Sequence, residues 1–338
     1  MSPMQKKPST KRRGERLAAM LLSLLFLSTA VFATVKYVFR APELDKDKPV
    51  LTPTDTTPTD EGQAGDPAPA GRVQRDYCYN ILVSGLDDDN GGSDTNILVR
   101  FDVPNKRIDL VSLPRDTLLH NEYKNNKLNF AYAKGGTELL MSEIENLLGV
   151  PVNFYVTVNL KGFIALVDQI DGVDFDIPIN MDYDDPYQDL HIHFTKGLRH
   201  LTGQEAMEVV RFRHNNDGSG YGTEDIGRIG TQQAFLKAVA KQLLQLSNVK
   251  NIPAMVDIFC TYVKTDLTAG NLVWLGNEAL NIGMENIHFA TLPGDGSGYY
   301  NKQSVYVLDA QATCDLVNEA LNPYNEPLTL EDMDILTP

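Results

Sequence analysis

Three apolar extended runs, Asn80–Leu86, Asn96–Asp102 and Arg107–Leu113, open the ordered part of the chain. Their branched residues suit half- or fully buried strands. Val103-Pro104-Asn105-Lys106 has turn composition and joins two adjacent strands, so the opening is expected to be antiparallel there. The period then changes. Leu139, Leu140, Ile144, Leu147 and Leu148 recur at helical spacing, and Gly149 with Pro151 stops that helix. Val152–Val158 predicts a strand, Leu160–Ile170 a helix, and Asp171-Gly172 a turn into a strand over Val173–Ile177. Thr202-Gly203-Gln204-Glu205 is a capping box that starts a helix carrying Arg211 and Arg213. After a Gly-rich loop, a long amphipathic helix is expected to bury Phe235, Leu236, Val239, Leu243 and Leu246. A strand near Ile287–Leu292 leads into Pro293-Gly294, and a helix near Asp309–Leu321 closes the chain. Alternating strands and helices with one antiparallel region predict an α/β fold, a three-layer α/β/α sandwich on a mixed central sheet.

The first 76 residues carry a different pattern. Leu17–Val35 is apolar and free of charge, long enough to span a bilayer as one transmembrane helix. Lys6, Lys7, Lys11, Arg12, Arg13 and Arg16 precede it against Glu15 alone, which keeps that end cytoplasmic and sends the rest outside. A cleaved signal peptide is the competing reading, kept open by Ala30 and Ala33, but the run exceeds the apolar core of such peptides. Ala41–Asp76 holds six prolines and no aromatic residue, the composition of a tether that cannot bury enough apolar surface to order itself. The expected organisation is therefore a basic cytoplasmic tail over 1–16, a membrane helix over 17–39, an extracellular linker over 40–76 and one folded domain over 77–338. Of the 30 basic and 45 acidic residues, six and one lie in the tail, which leaves a net charge of −20 on the remainder. An exterior this acidic excludes nucleic acid as a partner, although a few arginines can still be focused in one cleft. The three cysteines, Cys78, Cys260 and Cys314, match no zinc or redox spacing. A bridge between Cys260 and Cys314 and buried free thiols are both open.

The candidate chemistry gathers at strand ends. Asp87 follows the first run, Asp94 precedes the second, and Arg115 follows the third behind Pro114. Open α/β sheets bind ligands at such ends. Two carboxylates held there suit one hard cation, Mg2+ or Mn2+. The intervening loop lacks the EF-hand spacing. Arg211, Arg213 and Arg228 add a set of cations suited to a pyrophosphate. Arg211 and Arg213 would diverge on a continuing helix, so they reach one ligand only if the helix ends there, as His214-Asn215-Asn216-Asp217-Gly218 suggests. Arg228 falls near a helix start, where the dipole also favours an anion, and Gln232 lies one turn further on the same face. His191 and His193 share one strand face, but no third metal ligand has suitable spacing along the chain, so they are read as a satisfied surface pair.

These motifs in this order, over Asn80–Leu236 with a weaker echo in Ala290–Gly294 and Val305–Asp309, resemble the LytR–CpsA–Psr family of bacterial envelope proteins. The resemblance implies a metal-dependent phosphotransferase that takes a polyprenyl-pyrophosphate-linked glycan as donor and a peptidoglycan hydroxyl as acceptor. It implies a domain outside a Gram-positive cell membrane, and a lipid tail lying between sheet and helices. On this chain the family's metal carboxylates fall on Asp87 and Asp94. Its pyrophosphate arginines fall on Arg115, Arg211, Arg213 and Arg228, and its polar helix residues on Asp225 and Gln232. Arg115 and Asp225 are the residues expected to carry the reaction, with Asp225 or Asp94 as the base. Two positions where many members carry arginine are Gly92 and Thr231 here, which bears on how tightly phosphate is held. The rival classes are a non-catalytic polyprenyl-phosphate-binding or regulatory protein and a calcium-dependent surface module.

Overall fold

The computed structural model describes residues 39–44, 72–86, 91–121, 123–221, 224–243 and 261–337. The basic tail, the apolar run Leu17–Val35 and Asp87 lie outside them. Among the described residues no helix is long and apolar enough to cross a membrane.

The centre is a mixed six-stranded sheet, α/β as expected. β1 (Cys78–Leu86) pairs antiparallel with β2 (Ser93–Asp102), which pairs antiparallel with β3 (Arg107–Leu113). On the far side of β1 lies β4 (Phe154–Asn159), parallel to it. β9 (Val263–Thr265) and β10 (Ile287–Thr291) complete the order β10-β3-β2-β1-β4-β9. Lys106 takes φ 50° in the turn between β2 and β3. Neighbouring residues of β1 face opposite sides, so Leu82 and Ile81 enter different cores.

Leu82, Leu98, Val111 and Leu113 pack with helices α1 (Leu128–Leu148) and α6 (Ala310–Ala320). Ile81, Phe101, Ile108 and Val156 pack with α5 (Ala269–Ile282) on the other face. α1 is kinked at Gly136, and its second half is the part that the leucine periodicity predicts. Asp309 is the N-cap of α6, accepting a hydrogen bond from the Ala312 N–H at 3.0 Å.

A third apolar cluster lies beside the sheet, where α2 (Leu160–Gln169) and α3 (Gly203–Arg211) meet two small ribbons. One ribbon pairs β5 (Val173–Ile177) with β8 (Gly197–Leu201), the other β6 (Met181–Asp185) with β7 (Leu190–Phe194). Phe235 from α4 (Glu224–Leu243) plugs this cluster, touching Phe163 and Phe175. Leu243, expected on the buried face, is exposed because the last turn of α4 passes beyond the cluster, and Leu246 lies outside the described residues. A late hairpin, β11 (Gly294–Tyr300) with β12 (Gln303–Leu308), has no counterpart in the sequence reading.

Both ends of the expected linker touch the folded domain. The Tyr79 hydroxyl donates to Pro42 O at 3.0 Å, and Asn271 donates to Arg40 O at 2.9 Å. Arg72 forms a two-point ion pair with Asp332, at 2.6 and 2.9 Å. Cys78 and Cys314 are buried free thiols, and burial pushes the Cys78 thiol up to about 12. Cys260 lies outside the described residues.

Candidate functional site: a cleft at the carboxyl ends of the parallel strands

The register of β2 and β3 sets Asn96 opposite Leu113. Asp94 and Arg115 each lie two residues beyond that pair, so the ladder itself carries them to the same edge. The Arg115 Nη1 donates to Asp94 Oδ1 at 2.5 Å. Its Nε lies 3.6 Å from Asp116 Oδ1, which in turn is 3.3 Å from Lys127 Nζ. Neither Arg115 Nε nor Asp116 Oδ1 has a hydrogen bond, although both atoms are buried. Each still lies within ion-pair distance of an opposite charge, so Asp94, Arg115, Asp116 and Lys127 form one linked run of charges at the cleft edge.

The backbone that holds Arg115 is fixed on two sides. The first turn of α1 donates from Asn129 N to Arg115 O at 2.9 Å and from Leu128 N to Thr117 O at 3.0 Å. From the other side Tyr306 N donates to Asp116 O at 2.8 Å and Leu118 N donates to Tyr306 O at 2.9 Å. Tyr306 is itself held by its hydroxyl, which donates to Leu292 O at 2.9 Å, and burial raises its phenol pKa. The resulting cleft, of about 610 Å³ with its open mouth, is lined by Asp94, Arg115, Asp116, Gln232, Ser304 and Tyr306 among others.

α4 forms the far wall. Gln233 Nε2 donates to Thr291 Oγ1 at 2.5 Å, tying the helix to the end of β10. Gln232 Nε2 donates to Val210 O at 3.2 Å, which joins the cleft to the end of α3. There the helix stops at Arg211 because Phe212 is extended, with ψ 133°, and fully buried. Phe212 meets Tyr221 edge-on at 5.6 Å, and Tyr221 lies so close to the first turn of α4 that a Cβ on Gly227 would be 2.2 Å from its Cβ. Only glycine fits there.

The helix therefore ends before Arg213, as convergence of the two arginines requires. Arg211 Nη2 donates to Gln188 Oε1, while the exposed Arg213 side chain has no hydrogen bond or ion pair among the described residues. The cleft lining includes neither. Arg228 and Asp225 belong to the first turns of α4, but their side chains and the whole of Asp87 lie outside the described residues. Thr231 is buried, and its hydroxyl donates back to Gly227 O at 3.1 Å.

Sequence reasoning missed Asp116, Ser304 and Tyr306 as cleft residues, and Lys127 as the ion-pair partner of Asp116. The Arg115-Asp116 dipeptide was a visible signal, but the β11–β12 hairpin gave none. The reading of His191 and His193 as lacking a third ligand is corrected. Asp184 on the paired strand lies with them, every ligand atom within 4.8 Å of the others.

The chain is 31% identical over 305 residues to the Bacillus cereus polyisoprenyl-teichoic acid–peptidoglycan teichoic acid transferase TagU, covering 88% of this chain and 93% of the relative. It is 31% identical over 248 residues to the Bacillus subtilis transferase of the same description, TagV, covering 70% and 61%. The crystal structure of B. subtilis TagV superposes with a TM-score of 0.62 at 26% identity, covering 78% of this chain and all of that one. Residues 50–322 match the LytR_cpsA_psr family, a span that contains every cleft residue described above. The chain belongs to the LytR–CpsA–Psr family.

Proposed function

We propose that this chain moves a glycopolymer of the teichoic acid or capsule type from a polyprenyl-pyrophosphate carrier to a hydroxyl of peptidoglycan, anchored outside the cell membrane by one N-terminal helix. The observation that carries the reading is the convergence of Asp94, Arg115 and Gln232 on one cleft at the carboxyl ends of parallel strands. In the reaction, the acceptor oxygen attacks the phosphorus that bears the glycan. The bond from that phosphorus to the bridging oxygen breaks, polyprenyl phosphate leaves with the electron pair, and the hydroxyl proton passes to a base. Such transfers depend mainly on positioning and on stabilising charge.

Arg115 is the main positioning cation. Its guanidinium is held between Asp94 and Asp116, so its plane is oriented before the donor phosphate arrives. Arg211, Arg213 and Arg228 supply further positive charge from the α3–α4 side, and Gln232 offers a neutral donor. Asp94 and Asp87 are hard oxygen donors, the type that suits Mg2+ or Mn2+. When bound, such an ion neutralises the pyrophosphate and improves the leaving group. Asp94 is already engaged by Arg115, which leaves Asp225 as the base we assign.

The test uses the purified full-length protein with Mg2+, a polyprenyl-pyrophosphate-linked glycan and peptidoglycan fragments. Release of polyprenyl phosphate in step with glycan attached to peptidoglycan is the expected result. Donor bound without product would instead make the chain a non-catalytic binder.

A further inference from the structure

The β6–β7 ribbon carries a group of side chains that the transfer reaction does not use. Met181, Leu190, Ile192 and Phe194 point inward, so the alternate positions Asp182, Asp184, His191 and His193 share the outer face. The antiparallel register sets Asp184 opposite His191 and Asp182 opposite His193. Asp184 Oδ1 lies 2.5 Å from His191 Nδ1 and 3.3 Å from His193 Nε2. The remaining nitrogen of His193, Nδ1, is 2.8 Å from Asp182 Oδ1.

Two imidazoles and one carboxylate form a ligand set for a borderline divalent cation rather than for Mg2+, which prefers oxygen alone. Zinc bonds of about 2.0–2.1 Å place tetrahedral donors about 3.3 Å apart. The His193–Asp184 pair already has that separation, and all three side chains are exposed enough to rotate into place. Asp182 holds His193 in the tautomer that turns Nε2 toward Asp184, the outer-carboxylate arrangement that orients metal-bound histidines. The ribbon is also braced. Asp182 N donates to Asn215 Oδ1 and Asp184 N to Asn216 Oδ1, both at 2.7 Å.

We propose that Asp184, His191 and His193 bind one divalent transition-metal ion, with zinc as the reference case, water completing its shell and Asp182 as the outer partner. The site is separate from the cleft, since none of the three lines it. It is nevertheless tied to the arginine turn, because Gln188 between the same two strands accepts from Arg211 and Asn215 and Asn216 follow Arg213 by two and three residues.

Full-length protein without a polyhistidine tag, with Mg2+ in large excess to fill the Asp87 and Asp94 carboxylates, is titrated with Zn2+ by calorimetry at about pH 8, where imidazole nitrogens are free to ligate. Co2+ is then titrated while the visible spectrum is recorded. One equivalent of Zn2+ and visible Co2+ bands typical of nitrogen ligation are expected. The double variant His191→Gln with His193→Gln should lose both, and Asp182→Asn should weaken Zn2+ about 10- to 100-fold. Asp94→Asn should leave both signals unchanged, and circular dichroism melts establish that each variant folds. Absence of saturable binding by the wild type, full binding by the double variant, or loss of binding in Asp94→Asn would each overturn the proposal.

Discussion

Arg115 combines two roles that pull in different directions. Its Nη1 is held by Asp94 and its Nε lies 3.6 Å from Asp116, yet the side chain also lines the cleft. Donors that strengthen their hold as charge develops on a departing oxygen contribute about 2–4 kcal/mol to the barrier. Arg115→Ala is therefore expected to slow transfer by roughly two orders of magnitude. Arg115→Lys should recover only part of this, since an ammonium cannot reproduce the planar fork. The Asp94 pair is about a quarter to a third exposed, at 27% and 33%, so its loss should cost at most about 1 kcal/mol of stability. Initial rates and melting curves of both variants check the two statements together, and wild-type rates would reduce Arg115 to an ion-pair residue. That Asp94 and Arg115 lie at one edge of the sheet was legible from their places beside the strands. Their direct pairing was not, because it depends on the ladder that aligns β2 with β3.

Among the elements, the end of α1 shows how a local signal is backed by distant contacts. Gly149 ends the helix at φ 65°, and a Cβ there would sit 2.3 Å from Asp332 O. Gly149→Ala meets both a left-handed backbone and a clash with backbone that cannot rotate away. A loss of about 2–3 kcal/mol is expected in urea unfolding, with transfer chemistry unchanged per folded molecule. Asp332 also fastens the chain entering β1. Burial raises its pKa, but the Arg72 pair and the Thr329 N–H and hydroxyl outweigh that and hold it below the usual range. A depressed folded pKa contributes stability that is complete above the unfolded value of about 3.9 and disappears as pH falls through the folded one. Arg72→Gln should therefore lower the melting temperature at neutral pH, by an amount worth about 1 kcal/mol, and the gap from wild type should close in acid. A gap that stays constant down to about pH 3 would place the stabilisation elsewhere.

For the whole molecule, the charge bias before Leu17 predicts that everything from Lys36 onward lies outside the membrane. Reporter fusions after Asp45 should be active only as extracytoplasmic reporters. Activity of a cytoplasmic reporter at that point would overturn the envelope assignment. The docking of residues 39–44 on Tyr79 and Asn271 adds a consequence. The folded domain is gripped next to the segment expected to leave the membrane, rather than held only by the far end of a long tether.

The sequence by itself determined what depends on neighbours along the chain. The three opening strands, the Thr202 capping box with both of its hydrogen bonds, the stop at Gly149 and the end of α3 near Arg211 are all written in local composition and period. The tertiary structure alone decided which distant segments meet. It brought Asp184 to His191 and His193 across a ribbon, set Tyr306 against the backbone of Asp116, and carried Leu243 past the core into solvent. Periodicity names the face a residue presents, but not the element that covers it. Cross-strand register and the packing of remote helices supply that partner, and they exist only once the chain has folded.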